Sequence, residues 1–201
     1  MRRITPLALA LLTVACTPSV ALEPTTTTTI AIEETTSTTS PAAMDLTETT
    51  VPVPFELTSP AFSDDGLIPA EHTCDGADVS PRLDVTGLPV GTDSVVVVVE
   101  DPDAAMGTWE HWVVFDVPAE PTTMQIPDDS SGGGVSGANS WNVSAYKGPC
   151  PPEGEEHRYF FTLYALSDTI GLPEGVDSAA VYEAMEPYLI SSAELMGRYA
   201  R

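Results

Sequence analysis

Three apolar segments decide the fold of this chain: residues 95–99 (VVVVV), 111–117 (HWVVFDV) and 158–166 (RYFFTLYAL). Each is rich in β-branched or aromatic residues and is bounded by Pro, Gly or Asp, which is typical of a strand buried on both faces. Two shorter segments, 55–58 and 84–87, have the same character. The sequence therefore predicts a mainly β domain.

A helical segment is expected near the C-terminus. Residues 178–196 are rich in Ala, Met, Leu and Glu, which favour a helix. Pro187 must kink this helix or begin a second one, and Gly197 would end it. The long connection 118–156 is rich in Gly and Pro, and a connection of that length is usually functional or held in place by other contacts.

Polar and aromatic side chains fall at the ends of the predicted strands. Asp101 and Asp103 follow the first long strand, Trp109 precedes the second, and His111 opens it. If these two strands are antiparallel neighbours, the four side chains share one edge of the sheet. His157 immediately precedes the third strand, so the long connection before it could return the chain to the same edge.

The alternation of side chains along a strand predicts which of these groups face each other. In the third strand His157 and Tyr159 share one face, and in the second His111 is in phase with Val113 and Phe115. The expected site has imidazoles and a tyrosine at its mouth and an apolar floor.

The N-terminus has the features of a targeting segment. Two arginines precede an apolar run, residues 4–15, which is shorter than the about 20 residues needed to span a bilayer. The run ends in LTVAC, which resembles a lipobox with Thr13 in place of the usual Leu. We therefore predict that residues 1–16 are a lipoprotein signal peptide, that Cys16 is lipidated, and that the protein is extracytoplasmic and anchored to the cell membrane. The alternative is an ordinary cleaved signal peptide.

The chain then divides into a tether and one domain. Residues 17–52 contain thirteen Thr and four Pro, and they have too few large apolar side chains to offset their chain entropy. Residues 53–201 have the size of a single domain. They carry 25 Asp and Glu against five Lys and Arg, a net charge of −20. Such a domain is a poor partner for nucleic acid, which requires a basic surface.

Two cysteines, Cys74 and Cys150, remain once Cys16 is assigned to lipid. Outside the cytoplasm an even pair suggests a disulfide. The two thiols are 76 residues apart, so the sequence leaves open whether they meet. Cys150 lies in a rigid turn-rich segment, GPCPP, whose first residue, Gly148, could let a backbone N–H approach a ligand closely.

Six short sequence blocks occur along the domain: residues 59–62 (SPAF), 74–76 (CDG) with 80–81 (SP), 101–104 (DPDA), 111–112 (HW), 148–152 (GPCPP) and 157–159 (HRY). In order and spacing they resemble the signature blocks of the phosphatidylethanolamine-binding protein family, in its bacterial Raf-kinase-inhibitor-like branch. The similarity covers residues 55–201. It implies a fold of two antiparallel sheets with a short C-terminal helical segment, and a pocket for phosphate, phosphorylethanolamine, acetate or a similar anion.

The resemblance also implies which residues bind the ligand: Asp101, Trp109, His111, Gly148, His157 and Tyr159, with Asp103 close by. Two positions depart from the family pattern. Ala105 stands where the family often has Pro, and Arg82 stands where a second Pro commonly follows Ser80-Pro81. Arg82 is either a surface substitution or a cation near the pocket.

The resulting prediction is a binding protein without a cofactor rather than an enzyme. Its expected ligand is a small anion such as phosphate or a phospholipid head group, and a protein partner is an open alternative. A second alternative is a protease or kinase inhibitor, although an extracytoplasmic address disfavours an intracellular kinase. A third is a metal-dependent hydrolase that uses Asp101, Asp103, His111 and His157, but these residues show no specific metal-binding spacing.

Overall fold

A computed structural model of the chain describes residues 52–120 and 123–201. The predicted signal peptide with Cys16, and all but the last residue of the predicted tether, lie outside the described residues. The elements in chain order are strands β1 (Glu56–Thr58), β2 (Gly66–Leu67), β3 (Leu83–Thr86), β4 (Ser94–Asp101), β5 (Trp109–Pro118), β6 (Thr123–Ile126), β7 (Val135–Ser136) and β8 (Glu156–Leu166), helix α1 (Ser178–Met185) and strand β9 (Leu189–Ala200). In the described ranges, no helix has both the length and the apolar character needed to cross a membrane.

The strands form two sheets. The smaller sheet has the order β1-β3-β6, and the larger has the order β2-β9-β8-β4-β5-β7. The pairs are antiparallel except β2 with β9, which is parallel. The three long strands predicted from the sequence, β4, β5 and β8, are neighbours at the centre of the larger sheet. The prediction of a mainly β fold with two sheets and a short C-terminal helix is confirmed.

The larger sheet is covered on both faces, which explains the continuous apolar runs. Its sandwich face, which packs against the smaller sheet, carries Val95, Val97 and Val99 of β4. Its helix face carries Val96 and Val98, which pack with side chains of α1. All five valines are fully buried, and each such burial stabilises the fold by about 1.5–3 kcal/mol.

The predicted helix over 178–196 is correct only as far as Met185. A 3-10 turn (Glu186–Tyr188) with Pro187 at its start redirects the chain, and β9 then pairs with β8 along its length. Every second residue of β9 turns inward, so that Ala193 and Leu195 are buried in the sandwich. Helix propensities differ by only about 0.7 kcal/mol per residue among ordinary residues, and here the ladder and the burial outweigh them.

A β-bulge between β4 and β5 changes the face on which His111 lies. Val99 pairs with Trp112 and Glu100 pairs with Glu110, which leaves His111 as the extra residue on β5. A bulge re-aims the side chain at its position. His111 therefore contacts the sandwich face, and the predicted common phase with the helix-face residues of β5 is wrong.

Candidate functional site

Four of the predicted residues meet where β4 ends and β8 begins. His157 Nδ1 lies 2.7 Å from Asp101 Oδ2. Two residues along β8, Tyr159 projects to the same face, and its ring centroid lies 5.2 Å from that of His111 at an interplanar angle of 90°. The bulge on β5 is thus what brings His111 to the side chains of β8.

Two tryptophans complete this group. Trp109 pairs with Asp101 across β4 and β5, and its ring meets that of Trp141 edge-on at 5.4 Å between centroids. Trp141 also packs edge-on against His111, at 5.1 Å. The sequence did not identify Trp141 as a site residue. We call the six residues the histidine cluster: Asp101, Trp109, His111, Trp141, His157 and Tyr159.

Asp101 orients His157 rather than facing open space. Its Oδ1 accepts the backbone N–H of Asp103 at 2.8 Å, and its Oδ2 is paired with the imidazole, so both oxygens are engaged. Nδ1 of His157 therefore carries a proton. The other ring nitrogen, Nε2, lies 3.3 Å from Oε2 of Glu155, an exposed side chain at the edge of the cluster.

The pKa values of the two histidines are shifted in opposite directions by their surroundings. Burial by itself lowers the pKa of His157, but the hydrogen bonds and negative charges of Asp101 and Glu155 outweigh it, and the pKa is raised. Burial also dominates at His111 and there lowers the pKa, although the carbonyl of Lys147 opposes it. His157 thus tends to the charged form and His111 to the neutral form.

The hydrogen bonding of His111 fixes its tautomer. Its Nδ1 lies 2.5 Å from the carbonyl oxygen of Lys147, which can only accept. The proton of the neutral ring is therefore on Nδ1, and Nε2 presents a lone pair. Neutral His111 therefore accepts a hydrogen bond at Nε2 and does not donate one there.

Tyr159 carries an unsatisfied hydroxyl. The residue is 0% exposed, and among the described residues no hydrogen bond of good geometry reaches its oxygen, although the Asp101 carboxylate and the backbone of Cys150 lie near enough to influence its pKa. Burial, followed by the charge of Asp101, raises its pKa, so the hydroxyl keeps its proton and can donate. Leaving such a group unpaired costs about 1–3 kcal/mol. A buried orphan donor of this kind calls for an acceptor, and a ligand oxygen would supply one.

Asp103 does not face the cluster. Its carboxylate accepts from the backbone N–H of Arg158 at 3.0 Å and from Nε and Nη2 of the same residue at 2.9 and 2.8 Å. These hydrogen bonds, the side-chain ones foremost, lower the pKa of Asp103 to about 2. Arg158 is thus the ion-pair partner of Asp103, and the Asp103 carboxylate is committed to it.

A glycine is required at position 148 because the backbone of His72 and Thr73 passes too close to leave room for a side chain. A Cβ at this position would lie 2.3 Å from the carbonyl oxygen of His72 and 2.7 Å from the Cα of Thr73. Its N–H donates to Oδ1 of Asp78 at 2.6 Å, a residue that the sequence did not single out. The amide predicted to approach a ligand is therefore already bonded within the protein.

The cysteine pair is bonded beside this contact. Cys74 and Cys150 form a disulfide, and the backbone N–H of Cys74 donates to the carbonyl of Pro149 at 3.1 Å. The GPCPP segment is thereby attached to the chain around residue 74 by a covalent bond as well as by hydrogen bonds. This attachment fixes the position of Lys147, the residue before the segment, whose carbonyl oxygen accepts a hydrogen bond from Nδ1 of His111.

No unpaired lysine or arginine is available to the histidine cluster within the described residues. All five such side chains there pair with carboxylates: Arg82 with Asp84, Lys147 with Asp78, Arg158 with Asp103, Arg198 with Asp65 and Glu156, and Arg201 with Asp75. Arg82 thus pairs with a residue of β3. Ala105, the other departure from the family pattern, is exposed on the loop after β4. Among the side chains of the cluster, His157 is therefore the one whose surroundings favour a positive charge.

The cluster is nearly closed. Asp101, His111, His157 and Tyr159 are each at most 6% exposed, whereas Trp141 is 43% exposed at the rim. Four cavities of about 230–660 Å³ lie elsewhere, and none of these four is lined by either histidine. A ligand bound at this cluster would have to be small. Within the described part of the chain no three His, Cys, Asp or Glu side chains are grouped to hold a metal ion.

Comparisons with known proteins agree on one family. The model of the family described as phosphatidylethanolamine-binding protein matches residues 58–200. A UPF0098 protein of Methanothermobacter thermautotrophicus is 42% identical over 145 residues, covering 70% of this chain and 95% of the relative. A UPF0098 protein of Chlamydia pneumoniae is 39% identical over 148 residues, covering 71% and 97%.

Two solved structures have the same architecture. A phosphatidylethanolamine-binding protein homologue from Chlamydia trachomatis superposes with a TM-score of 0.68 and 36% identity, covering 73% of this chain and 97% of the other. The E. coli protein YbcL, described as a new member of the mammalian family, gives a TM-score of 0.67 and 31% identity, covering 73% and 98%.

Proposed function

Because the chain belongs to the phosphatidylethanolamine-binding protein family, we propose that it is an extracytoplasmic, membrane-tethered binding protein whose histidine cluster holds a small anion. The ligand is phosphate or a phosphorylethanolamine-like group. The observation that carries this proposal is the buried hydroxyl of Tyr159, which has no partner among the described residues and lies on the same strand face as His157.

The anion is held by directed hydrogen bonds rather than by the charge of the domain. The net charge of −20 repels anions at long range, but screening limits this repulsion beyond about 8 Å at physiological salt. At short range the protonated Nε2 of His157 and the hydroxyl of Tyr159 donate. Nε2 of neutral His111 accepts, so a phosphate oxygen that carries a proton fits that side of the site.

Glu155 competes with the ligand for His157. Both ring nitrogens of His157 face carboxylates, and Nδ1 is held by the buried Asp101. An anion therefore reaches the ring at Nε2, where it displaces the Glu155 carboxylate. That side chain is exposed and its pairing is weak, so the displacement costs about 1 kcal/mol or less.

Calorimetric titrations at pH 6 and pH 8 test the proposal. We expect both phosphate and sulfate to bind more tightly at pH 6, because a larger fraction of His157 is then charged; sulfate remains a dianion throughout, so its trend reports the protein alone. Glu155→Gln should strengthen binding, whereas the matched exposed variant Glu153→Gln should not. Equal sulfate affinity at the two pH values, or no loss of binding in His157→Gln, would remove the basis of the proposal.

The cellular location is a separate part of the proposal. The Cys74–Cys150 disulfide supports an extracytoplasmic address, since such bonds are rare in the cytoplasm. Metabolic labelling with a radioactive fatty acid should label the wild-type protein and leave Cys16→Ser unlabelled. Labelling of the variant, or none in either protein, would disprove the anchor at Cys16.

A further inference from the structure

The ring of His111 is held in one orientation by a residue that also bonds to its backbone. The N–H of Lys147 donates to the carbonyl oxygen of His111 at 3.0 Å, and the carbonyl oxygen of Lys147 accepts from Nδ1 of the same histidine at 2.5 Å. The next residue, Gly148, donates its N–H to Oδ1 of Asp78 at 2.6 Å, which fixes this part of the chain. Because a carbonyl oxygen can only accept, Nδ1 keeps its proton.

The other ring nitrogen of His111, Nε2, is the atom that a ligand would meet. Within the described part of the chain no hydrogen bond engages Nε2. The residue is 3% exposed, and the rings of Trp141 and Tyr159 pack edge-on against it, at 5.1 and 5.2 Å between centroids. Apolar surroundings of this kind disfavour a second proton on the ring. Nε2 therefore presents a lone pair to the cluster.

The charges around His111 do not reverse this effect of burial. Burial lowers the pKa of His111. The backbone of Lys147 and Gly148 opposes the shift, and so do the negative charges of Asp101 on β4 and Asp78 on the loop before β3. The pKa nevertheless stays below its ordinary value of about 6.5, so more than half of the rings are neutral at pH 6.5.

An acceptor in a nearly closed site requires a hydrogen atom on the ligand. An oxyanion that carries one proton satisfies all three groups, because His157 and Tyr159 donate to its bare oxygens while its own hydroxyl donates to Nε2 of His111. A fully ionised oxyanion such as sulfate sets an oxygen lone pair against that of Nε2. Sites built around such a hydrogen bond reject analogues that lack it, because buried polar groups are then left unpaired.

We propose that His111 makes the histidine cluster selective for phosphate and phosphomonoesters over sulfate and phosphodiesters. This inference rests on the proposed function, the binding of a small anion at the cluster. A phosphomonoester has a second pKa of about 6, so a substantial fraction carries a proton near that pH. A phosphodiester has no such proton. Since the head group of an intact phospholipid is a diester, the ligand is a free phosphomonoester or phosphate rather than a lipid in a membrane.

The near closure of the cluster favours the same ligand class. His111, His157 and Tyr159 are each at most 6% exposed, and Trp141, at 43%, marks the exposed side. A monoester has one organic substituent, which can extend past Trp141 to solvent. A diester would have to place its second substituent against buried side chains.

Calorimetry on the full-length protein at pH 6.5 tests the selectivity with two pairs of ligands. Phosphate and sulfate have the same tetrahedral shape, and we expect phosphate to bind about tenfold more tightly. Phosphorylethanolamine and glycerophosphorylethanolamine share the ethanolamine group, and we expect the first, a monoester, to bind about tenfold more tightly than the second, a diester. The phosphate group of the diester carries one negative charge, so its weaker binding is not explained by repulsion between the acidic domain and a dianion.

Two variants separate the role of His111 from a general effect on the site. The amide of His111→Gln can donate as well as accept, so both affinity ratios should fall to within about threefold. Glu155→Gln removes the carboxylate that competes for His157, so it should strengthen binding of all four ligands and leave the ratios unchanged. In the wild type, the ratio of monoester to diester affinity should fall between pH 6.5 and pH 8, by up to about tenfold per unit, as the monoester loses its proton.

The outcomes distinguish this inference from the proposed function on which it rests. Equal affinities for phosphate and sulfate would overturn the selectivity and leave the anion site standing, even if the diester bound weakly, because size would then select the ligand. Wild-type ratios in His111→Gln would overturn it as well. Binding of none of the four ligands would refute the proposed function and this inference together. The wild-type ligand series decides the question should His111→Gln fold poorly.

Discussion

Replacing Asp101 with Asn isolates the charge that orients His157. The substitution keeps the shape of the side chain and an oxygen that can accept the backbone N–H of Asp103. It removes the negative charge 2.7 Å from Nδ1 of His157. Because the ring is almost fully buried, water does not replace this partner. We expect the variant imidazole to become neutral, since burial then acts without an opposing carboxylate at Nδ1.

The expected loss of stability follows from the geometry of the pair. A hydrogen bond to a charged group contributes about 1.5–3 kcal/mol, and removing one partner of a fully buried pair costs about 3–5 kcal/mol. Asn retains the shape and one acceptor, so we expect the lower end, about 2–3 kcal/mol at pH 6. The matched change Asp103→Asn breaks an exposed pair with Arg158 and should cost about 1 kcal/mol or less.

The pH dependence gives a sharper test than the magnitude. The pKa of His157 is raised by folding, so its contribution to stability is complete below the unfolded value of about 6.5 and is lost as the pH rises through the folded value, at up to about 1.36 kcal/mol per pH unit. The pKa of His111 is lowered, so its contribution is present above about 6.5 and is lost as the pH falls. Together the two histidines place a maximum of stability near pH 6.5.

Urea unfolding followed by tryptophan fluorescence between pH 5 and pH 8.5 measures both slopes. In Asp101→Asn the decline above pH 6.5 should disappear, while the decline below pH 6.5 from His111 remains. In Asp103→Asn both slopes should stay as in the wild type. If Asp101→Asn still loses stability above pH 6.5 with the wild-type slope, the Asp101–His157 pair is not the origin of that slope and the reasoning fails.

Three further changes test the surroundings of the site. Tyr159→Phe removes a buried hydroxyl without a partner, so the free energy of unfolding should stay equal or rise by about 1 kcal/mol, while calorimetry should show weaker phosphate binding; a stability loss above 1 kcal/mol would mean that the hydroxyl is satisfied in solution. Gly148→Ala places a methyl group 2.3 Å from the carbonyl oxygen of His72, and urea unfolding should show a loss of about 1–3 kcal/mol or more. Replacing both Cys74 and Cys150 by Ser opens a loop of 76 residues and should lower the unfolding free energy by about 4.5 kcal/mol on the chain-entropy estimate; an unchanged melting temperature would indicate that the bond does not form.

The sequence was sufficient for the strands whose signal is local. β4, β5 and β8 are apolar runs of β-branched and aromatic residues, and each was predicted to within a few residues of its observed bounds. β9 was not predicted as a strand, because its composition of Ala, Glu, Leu and Met favours a helix. Only the pairing with β8, a contact between distant parts of the chain, makes it a strand.

The site shows the same division between local and long-range information. The strand ends identified Asp101, His111 and His157, and the structure brings all three together. The bulge that turns His111 to the sandwich face depends on the register with β4, which no pattern within β5 reveals. Trp141 lies in the long connection, where Ser140 donates its backbone N–H to the carbonyl of Glu110 at 3.0 Å. Its sequence signal was a tryptophan in a stretch of small and polar residues.

The segment 101–103 (Asp-Pro-Asp) is joined to His157 and Arg158, near the start of β8, by two carboxylate contacts. We call these two contacts the clamp. The ladder between β4 and β8 ends at the pair of Glu100 with Phe160. Beyond that pair, Asp101 holds His157 on the sandwich face, and Asp103 holds both the backbone and the guanidinium of Arg158.

The two ion pairs of the clamp contribute different amounts to the stability of the fold, because one is buried and the other is exposed. The outer pair, Asp103 with Arg158, is exposed and by itself adds little stability. The N–H that Asp101 accepts belongs to the backbone of Asp103, so this contact remains when the Asp103 carboxylate is replaced. Asp101 thus acts through His157 and Asp103 through Arg158, because the oxygens of both carboxylates are already bonded to the protein. The proposed anion would therefore contact the positions that this clamp leaves: Nε2 of His111, the hydroxyl of Tyr159, and Nε2 of His157 once the Glu155 carboxylate is displaced.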